Sequence, residues 1–291
     1  MKHIKDAAGF IERAVKFIFT VCGFLVIGFV LMITAFLVIN GLPAIKEIGI
    51  ADFFFNTEWA STATPASYGI LPFIMSSVYS TLGAVIIGEP IGIMCAVFIA
   101  KAAPPKISRA VSSAVDLLSG IPSVVYGLLG MIIIVPSVRE IFNIPDGANM
   151  LSAVIVLSVM ILPSVISVSE TAISTVPQEY EEASLALGAT KTETVFKVTL
   201  PAAKSGIVTA VILGIGRAIG EAMAVMMVAG NVANMPGLFK SVRFLTTAVA
   251  SEMAYSSGLQ RQALFSIALV LFIFIMAINI ILNLTVKKNK E

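Results

Sequence analysis

The sequence predicts an all-α fold that crosses a membrane six times. Its hydrophobic fraction is 58%, its mean hydropathy is +0.99, and only 12% of its residues are charged. A soluble domain carries about twice that charged fraction. The apolar residues also collect in runs of about 20 or more, which is the length that an α-helix needs to cross the hydrocarbon core of a bilayer. These observations favour a polytopic membrane protein over one or two soluble domains.

Six runs have the length of a membrane-spanning helix. They are Phe17–Ile39, Ile74–Ala100, Ala114–Val135, Leu151–Ile173, Ile207–Ala229 and Ala263–Val286. The first run is too long for the apolar part of a signal peptide and has no small-residue cleavage site after it, so we predict an anchor. Glu89-Pro90 predicts a kink or break in the second run. Gly120-Ile121-Pro122 allows the third helix to start as late as Ser119 or Pro122.

Basic residues in the connecting segments predict the orientation of the chain. Thirteen Lys and Arg residues lie in the two tails and in the second-to-third and fourth-to-fifth connections, against five in the remaining connections. Both termini and the loop after the fourth span are therefore predicted to be cytoplasmic. The external segment 40–72 contains Trp59 and Tyr68 and is either a surface for an external partner or a spacer.

Composition and missing motifs exclude several classes of function. The net charge of +2 is too small to indicate nucleic-acid binding, and Cys22 and Cys95 both lie inside apolar runs. The only histidine, His3, lies in the N-terminal tail, which argues against a metal site or a histidine-based catalyst. The chain has no Gly-Lys pair for a Walker A motif and no Gly-x-Ser-x-Gly elbow. We therefore predict a chain that is not an enzyme and binds no cofactor or metal.

The loop 174–203, between the fourth and fifth spans, carries clear signals for two short helices. Pro177 suits a first helical turn, and three acids follow it at the end where the helix dipole favours negative charge. They are Glu179, Glu181 and Glu182. Gly188 suits a left-handed stop after this helix.

The second helix of the loop is predicted to open at a capping box, Thr190-Lys191-Thr192-Glu193, and to end at Leu200-Pro201. On the first helix, four residues share one face at helical spacing. They are Tyr180, Ala183, Ser184 and Leu187. Such an acidic amphipathic helix fits a groove in a partner protein, although a capped connector without a partner explains the same residues.

A long-spaced motif in this loop resembles one that identifies a family. The chain has Glu182-Ala183-Ser184, then Gly188 after three residues, then Val198-x-Leu200-Pro201 after nine more. The pattern Glu-Ala-Ala, three residues, Gly, nine residues, Ile-x-Leu-Pro is typical of permease subunits of bacterial binding-protein-dependent ABC transporters. Ser184 and Val198 are mild departures, and the spacing matches in full. The resemblance implies a type I, MetI-like ABC permease core.

The same resemblance implies that the first short helix is the coupling helix and is seated in a separate ATPase subunit. It assigns the coupling role to six residues. They are Glu182, Ala183, Ser184, Gly188, Leu200 and Pro201. The loop 176–201 would then pass the motion of the ATPase into the membrane.

Three further segments resemble the phosphate-specific branch of this family. They are Trp59 with Tyr68-Gly69-Ile70-Leu71-Pro72, then 120–127, then 216–225. The continuation 226–231 resembles the C-type subunit rather than its A-type partner, and the likeness covers roughly residues 59–285. Glu89 departs from the pattern, which has a small apolar residue before the proline. Asp116 is predicted at the cytoplasmic edge of a helix, with a helix-start or interface role.

The resemblance implies a permease subunit of an ATP-driven phosphate importer in the bacterial cytoplasmic membrane. Its implied partners are a pair of ATP-binding subunits that hold ATP and Mg, a second A-type permease, an external phosphate-binding protein and membrane lipid. The predicted division is an anchor and external segment at 1–70, a permease domain at 71–286 and a cytoplasmic tail at 287–291. The alternatives are a permease for another oxyanion, such as molybdate or sulfate, and a membrane scaffold or sensor of phosphate signalling.

One charged pair lies inside the fifth predicted span. Arg217 and Glu221 are four residues apart, so they are predicted to share a helix face. An Arg at the bilayer centre costs about 2.5–3.5 kcal/mol on insertion scales, which calls for a role. We predict that Arg217 meets the substrate oxyanion in a central pathway and that Glu221 limits how tightly the anion is held. The alternative is an ion pair with a partner subunit.

Small residues surround this pair and predict close helix packing. The residues assigned to that packing are Gly214, Gly216 and Gly220. Of these, the last two form a GxxxG motif.

Overall fold

The computed structural model describes residues 2–288, and it describes side chains for most of residues 12–280. The final residues of the predicted tail at 287–291 therefore lie outside the described part. Within that part, the N-terminal half contains α1 (Lys2–Ile48), α2 (Ile50–Phe55), β1 (Trp59–Ala60), β2 (Ser67–Tyr68), α3 (Leu71–Val97), α4 (Pro105–Ser119), α5 (Ser123–Leu129) and α6 (Val135–Ile141). The rest contains α7 (Met150–Ser174), α8 (Gln178–Ala186), α9 (Lys191–Thr194), α10 (Leu200–Ala202), α11 (Lys204–Gly220), α12 (Met223–Val228), α13 (Leu245–Glu252) and α14 (Gly258–Lys288).

Three π-helical segments connect some of these helices. They are Phe98–Ala102, Gly130–Ile134 and Val195–Thr199. Each takes the place of a loop, so the helix before it continues into the helix or turn that follows. The two short strands pair antiparallel, with Trp59 opposite Tyr68, and form a small hairpin in the predicted external segment.

The predicted all-α membrane fold is confirmed. Five of the described segments are long and apolar enough to span a membrane. They are Val15–Ile48, Leu71–Ala102, Ser123–Ile141, Met150–Ser174 and Gly258–Ile280. A sixth span exists if Lys191–Ala202 and Lys204–Gly220 are taken as one helix bent by 71°. The protein is thus a multi-pass membrane protein whose fifth predicted span is broken.

The third span starts later than residue 114, which is the earliest start that the sequence allows. Gly120 ends α4, and Pro122 stands immediately before α5. Because proline has no backbone N–H and is favoured at the start of a helix, Pro122 separates the two helices. Helix α4 is therefore a mostly exposed amphipathic helix, and Asp116 lies exposed upon it.

Of the kink or break expected at Glu89-Pro90, the break is absent. Helix α3 runs without interruption from Leu71 to Val97 with Pro90 inside it. On either side of Pro90, Gly88 and Gly92 lie against Ile161 and Val165 of α7. The missing side chains of the two glycines let the helices approach closely, and this packing supports α3 through the site of the lost hydrogen bond.

Helix α7 forms the centre of the fold, with α3 and α11 packed against it. Helix α12 packs on α5, and α1 packs on α14. Helices α1 and α14 approach closely at Gly41, whose carbonyl oxygen accepts a hydrogen bond of 2.5 Å from the hydroxyl of Ser266. Most other large apolar side chains of α1 between Val15 and Ile39 are exposed, as expected for an anchor that faces lipid.

Candidate functional site

The loop 174–203 has the two-helix form that its sequence predicts. Pro177 stands immediately before α8, and Gly188 has φ +90°, the left-handed conformation that stops the helix. The hydroxyl of Thr190 accepts from the backbone N–H of Glu193, and the Glu193 carboxylate accepts from the backbone N–H of Thr190. The predicted capping box is therefore confirmed. These bonds and nearby Lys197 hold the pKa of Glu193 at about 2.

The second helix ends at Ala202, one residue after Leu200-Pro201 and thus close to the predicted boundary. The helix continues from α9 through the π segment Val195–Thr199 and then through α10 to Ala202. Pro201 lies in the first turn of α10, where its missing N–H does least harm. The 71° bend falls at residue 203, just before α11 begins.

Helix α8 presents an exposed face that contains three of the four predicted residues. Tyr180 is 54% exposed, Leu187 is 90% exposed, and Ala183 between them is also exposed. Ser184 instead turns towards the second helix, where its Oγ lies 2.9 Å from Oγ1 of Thr194. An exposed leucine beside the glycine stop leaves an apolar surface available to a partner. Ser184 thus ties the two short helices together.

Two neighbouring glutamates of α8 have different surroundings. The carboxylate of Glu182 is exposed and accepts a hydrogen bond of 2.8 Å from Nε2 of Gln178. The carboxylate of Glu181 points towards the protein, where its Oε1 lies 2.5 Å from Nζ of Lys101. The hydroxyl of buried Thr199 donates to the same oxygen at 3.0 Å. The loop is therefore attached both to the end of α3 and to its own second helix.

The charged pair of the fifth span does not share a helix face, contrary to prediction. Helix α11 ends at Gly220, and Glu221 is extended with φ −74° and ψ 130°. Oε1 of Glu221 accepts from the backbone N–H of Ala224 at 2.9 Å, and its carbonyl oxygen accepts from the hydroxyl of Thr246 at 2.7 Å. Glu221 thus holds the break by bonding to α12 and α13, and among the described residues no ion pair joins it to Arg217.

Arg217 remains on α11, one turn before the break. It is half-buried, and its Nη1 donates a hydrogen bond of 3.2 Å to Oγ of Ser164 on α7. The guanidinium group therefore lies beside α7, next to the hydroxyl of Ser164. Among the described residues, only one of its five N–H donors has a hydrogen-bond acceptor, and the other four have none.

The three glycines near this site differ in their surroundings. A Cβ on Gly214 would meet Val165 at 3.0 Å and the carboxylate of Glu89 at 3.4 Å, so this glycine lies in the contact of α11 with α3 and α7. A Cβ on Gly216 or Gly220 would meet no described atom within 4 Å. Packing of these last two against another subunit stays a prediction.

The contacts of three buried or half-buried polar residues were not predicted from the sequence. Glu89 is buried, and its Oε1 has no hydrogen-bond partner among the described residues. Lys101 directly follows the second predicted span, and Thr199 directly precedes the predicted end of the second loop helix. The sequence predicted no contact for either residue. Their meeting with Glu181 depends on tertiary packing, although a lysine that ends an apolar run hints at a polar partner.

The hairpin of β1 and β2 is attached to the later helices by polar contacts. Nε1 of Trp59 donates to Oε2 of Glu252 at 3.3 Å, and Glu252 also pairs with Arg243. A cavity of about 570 Å³ lies among these residues. The ring of Trp59 packs edge-on against Tyr68 at 5.6 Å. The predicted external residues are therefore part of a folded surface.

Comparison with known families gives one match that covers most of the chain. Residues 88–289 match the family described as "Binding-protein-dependent transport system inner membrane component". Among curated proteins, "Probable ABC transporter permease protein YqgH" of Bacillus subtilis is 37% identical over 91% of this chain and 88% of its own length. "Phosphate transport system permease protein PstC" of Pasteurella multocida is 32% identical over 82% of this chain and 83% of its own length.

Two solved structures have a similar fold. The MetNI methionine ABC transporter in an inward-facing conformation aligns with a TM-score of 0.62 and 21% identity over 76% of this chain and 95% of that one. An amino acid ABC transporter with histidines aligns with a TM-score of 0.55 and 21% identity over 75% and 92%. At this identity the likeness concerns the fold.

Proposed function

The chain belongs to the family of binding-protein-dependent transport system inner membrane components, and from this premise we propose that it is the C-type permease subunit of an ATP-driven phosphate importer. Members of this family are membrane components without an ATPase site of their own, so the chain is not itself an enzyme. Phosphate is supported by the names of relatives that are 31–32% identical over most of the chain. The observation that carries the proposal is the two-helix geometry of the loop 176–201, which fits the permease role that the names of these relatives describe.

The loop geometry fits a coupling element. Helix α8 projects Leu187 and Tyr180 into solvent while Glu181 and Ser184 hold its other side. A short helix with an exposed apolar end and a fixed base suits a groove in a partner protein. We assign the partner as an ATPase subunit, and Glu182, Ala183 and Gly188 as residues at or beside the contact. Closure of two such subunits around ATP and Mg would then move α8.

The role of Leu200 and Pro201 in coupling is to carry that motion into the membrane. Both lie in α10, between the π segment that contains Thr199 and the bend at residue 203. Helix α11 follows the bend and packs on α7. A displacement of the loop therefore has a continuous helical path to the centre of the fold.

The proposed substrate pathway passes Arg217. Its guanidinium group has unused donors beside α7 and presents a fork that matches two phosphate oxygens. Glu221 holds the break one turn away and keeps a negative charge near the pathway, which would limit how tightly an anion is retained. An ion pair between these residues and a second permease is the alternative, and uptake by Arg217 variants separates the two.

The remaining partners follow from the family and from the charge distribution. We propose a heterodimer with an A-type permease, in which Gly216 and Gly220 face the partner, and an external phosphate-binding protein that docks on the outer segments. The excess of basic residues supports a cytoplasmic position for both termini and α8 in a bacterial cell. The segment 1–70 would act as anchor and external surface, and 71–286 as the permease domain.

The proposal is tested by reconstitution of the chain with its companion subunits in liposomes. We expect accumulation of labelled phosphate that requires both ATP and the binding protein, and that an excess of sulfate or molybdate does not suppress. Suppression by sulfate or molybdate would assign the cargo to another oxyanion. Absence of any ATP-dependent accumulation, with phosphate signalling still dependent on Glu182, would favour a sensor.

A further inference from the structure

We propose that Lys101, Glu181 and Thr199 form a latch that couples α8 directly to the cytoplasmic end of α3. The inference rests on the proposed function, because it assigns positioning residues to the same coupling loop. Without the latch, motion of α8 would reach the membrane only through α7 and through the second short helix, which α8 meets along the chain and at Ser184. With it, a third spanning helix receives the motion at the same time.

The three groups meet at one oxygen atom. Oε1 of Glu181 lies 2.5 Å from Nζ of Lys101 and accepts a hydrogen bond of 3.0 Å from Oγ1 of Thr199. The Lys101 and Glu181 side chains are only 18% and 22% exposed, and Thr199 is buried. A charged hydrogen bond that is largely shielded from water is short and strong compared with one on the surface. The contact therefore joins three elements firmly.

The loop contains a second ion pair that serves as an internal comparison. Nζ of Lys197 lies 3.1 Å from Oε1 of Glu193 on the same short helix, with side chains 73% and 46% exposed. This pair joins residues four apart, so it connects nothing beyond its own helix, and exposed pairs of this kind contribute little. The Lys101–Glu181 pair joins residues 80 positions apart in the chain, which makes it a connection between separate elements.

The local backbone is also unusual at two of the three residues. Lys101 lies in the π segment Phe98–Ala102, and Thr199 lies in the π segment Val195–Thr199. Such wide turns are rare and occur often at functional sites. Here they stand at the ends of the two helices that lead from the latch into the membrane. Helix α3 then packs along α7 and α11, so displacement of Lys101 would change the packing around the proposed pathway.

The experiment measures phosphate transported per ATP hydrolysed by the full reconstituted complex. The variants are Glu181→Gln, Lys101→Met and Thr199→Val, which remove a charge or a hydroxyl and keep the size of the side chain. We expect the ratio to fall about fivefold or more for the first two, the lower end of a typical coupling between sites, and less for Thr199→Val. ATP hydrolysis and complex assembly are expected to persist. The matched control is Lys197→Met, which removes the cation of the exposed pair and should leave the ratio unchanged.

A swapped double variant, Lys101→Glu with Glu181→Lys, separates coupling from folding. We expect it to recover at least half of the wild-type ratio because the opposite charges meet again. The latch is overturned if the single variants keep the wild-type ratio, or if they lose transport and ATP hydrolysis in parallel and the swap restores neither. Failure of the proposed function is distinct, because the wild-type complex itself would then show no ATP-dependent phosphate accumulation.

Discussion

The loop at 176–201 and the break after Gly220 both interrupt helices, but they do so by different means. In the loop, the interruption is local: Gly188 has a left-handed backbone, and Thr190 and Glu193 cap the next helix. At the break, Glu221 becomes extended, and its carboxylate caps the backbone N–H of Ala224 three residues later. Its carbonyl oxygen, by contrast, accepts from Thr246 in α13, a distant part of the chain.

This difference decides what a sequence reveals. Turn and cap residues have short-range preferences that act wherever they occur, so the structure of the loop can be predicted without knowledge of the elements around it. A helix that ends because distant groups satisfy its backbone has no such signal, and apolar composition alone favours a continuous helix. The two regions also have different proposed roles, since the loop meets a partner and the break borders the pathway.

Replacement of Arg217 is expected to give the largest effect on transport at the break. Arg217→Gln removes the charge that would meet the phosphate and should reduce uptake by roughly tenfold or more, since charged hydrogen bonds are about twice as strong as neutral ones. Arg217→Lys keeps the charge without the fork and should lose less. Initial uptake rates of assembled complexes measure this, with exposed Arg139→Gln as the control. Normal uptake by both Arg217 variants would remove this residue from the pathway.

Replacement of Gly188 tests whether the loop is determined by its local backbone. Gly188→Ala places a Cβ on a residue with φ +90°, which costs about 1–2 kcal/mol even though no described atom lies within 4 Å. We expect lower stability of the loop, measured as faster hydrogen exchange at α8 and α9. Gly28→Ala is the matched control, because Gly28 also has open space around it but lies inside helix α1. Equal behaviour of the two variants would contradict the local account.

Replacement of Glu221 tests the local cap at the break and is expected to give the smallest effect. Glu221→Ala removes the acceptor for the backbone N–H of Ala224 and should cost about 1 kcal/mol, typical of a lost helix cap. Glu221→Gln keeps an oxygen acceptor and should remain close to the wild type in thermal unfolding. If Glu221→Gln is as unstable as Glu221→Ala, the charge rather than the cap holds the break.

Most of the fold, but only part of the candidate site, follows from the sequence. The apolar runs predicted the membrane spans because lipid requires length and apolarity, and Pro122 marked the later start of the third helix. The capping box and Gly188 stop were found at their predicted residues. The end of α11 was not found, and neither were the partners of Glu181. Each of these depends on which groups packing brings together rather than on neighbours in the chain.

The central claim, that an ATPase drives this chain through α8, is tested most directly at Leu187, whose side chain is 90% exposed. The measurement is ATP-driven phosphate accumulation in liposomes by complexes that carry Leu187→Asp or Leu187→Met. We predict a loss of roughly tenfold or more for Asp, as for a central interface residue, and near-normal accumulation for Met. Thermal unfolding of the isolated chain should be unchanged in both. Undiminished accumulation by Leu187→Asp would contradict the claim.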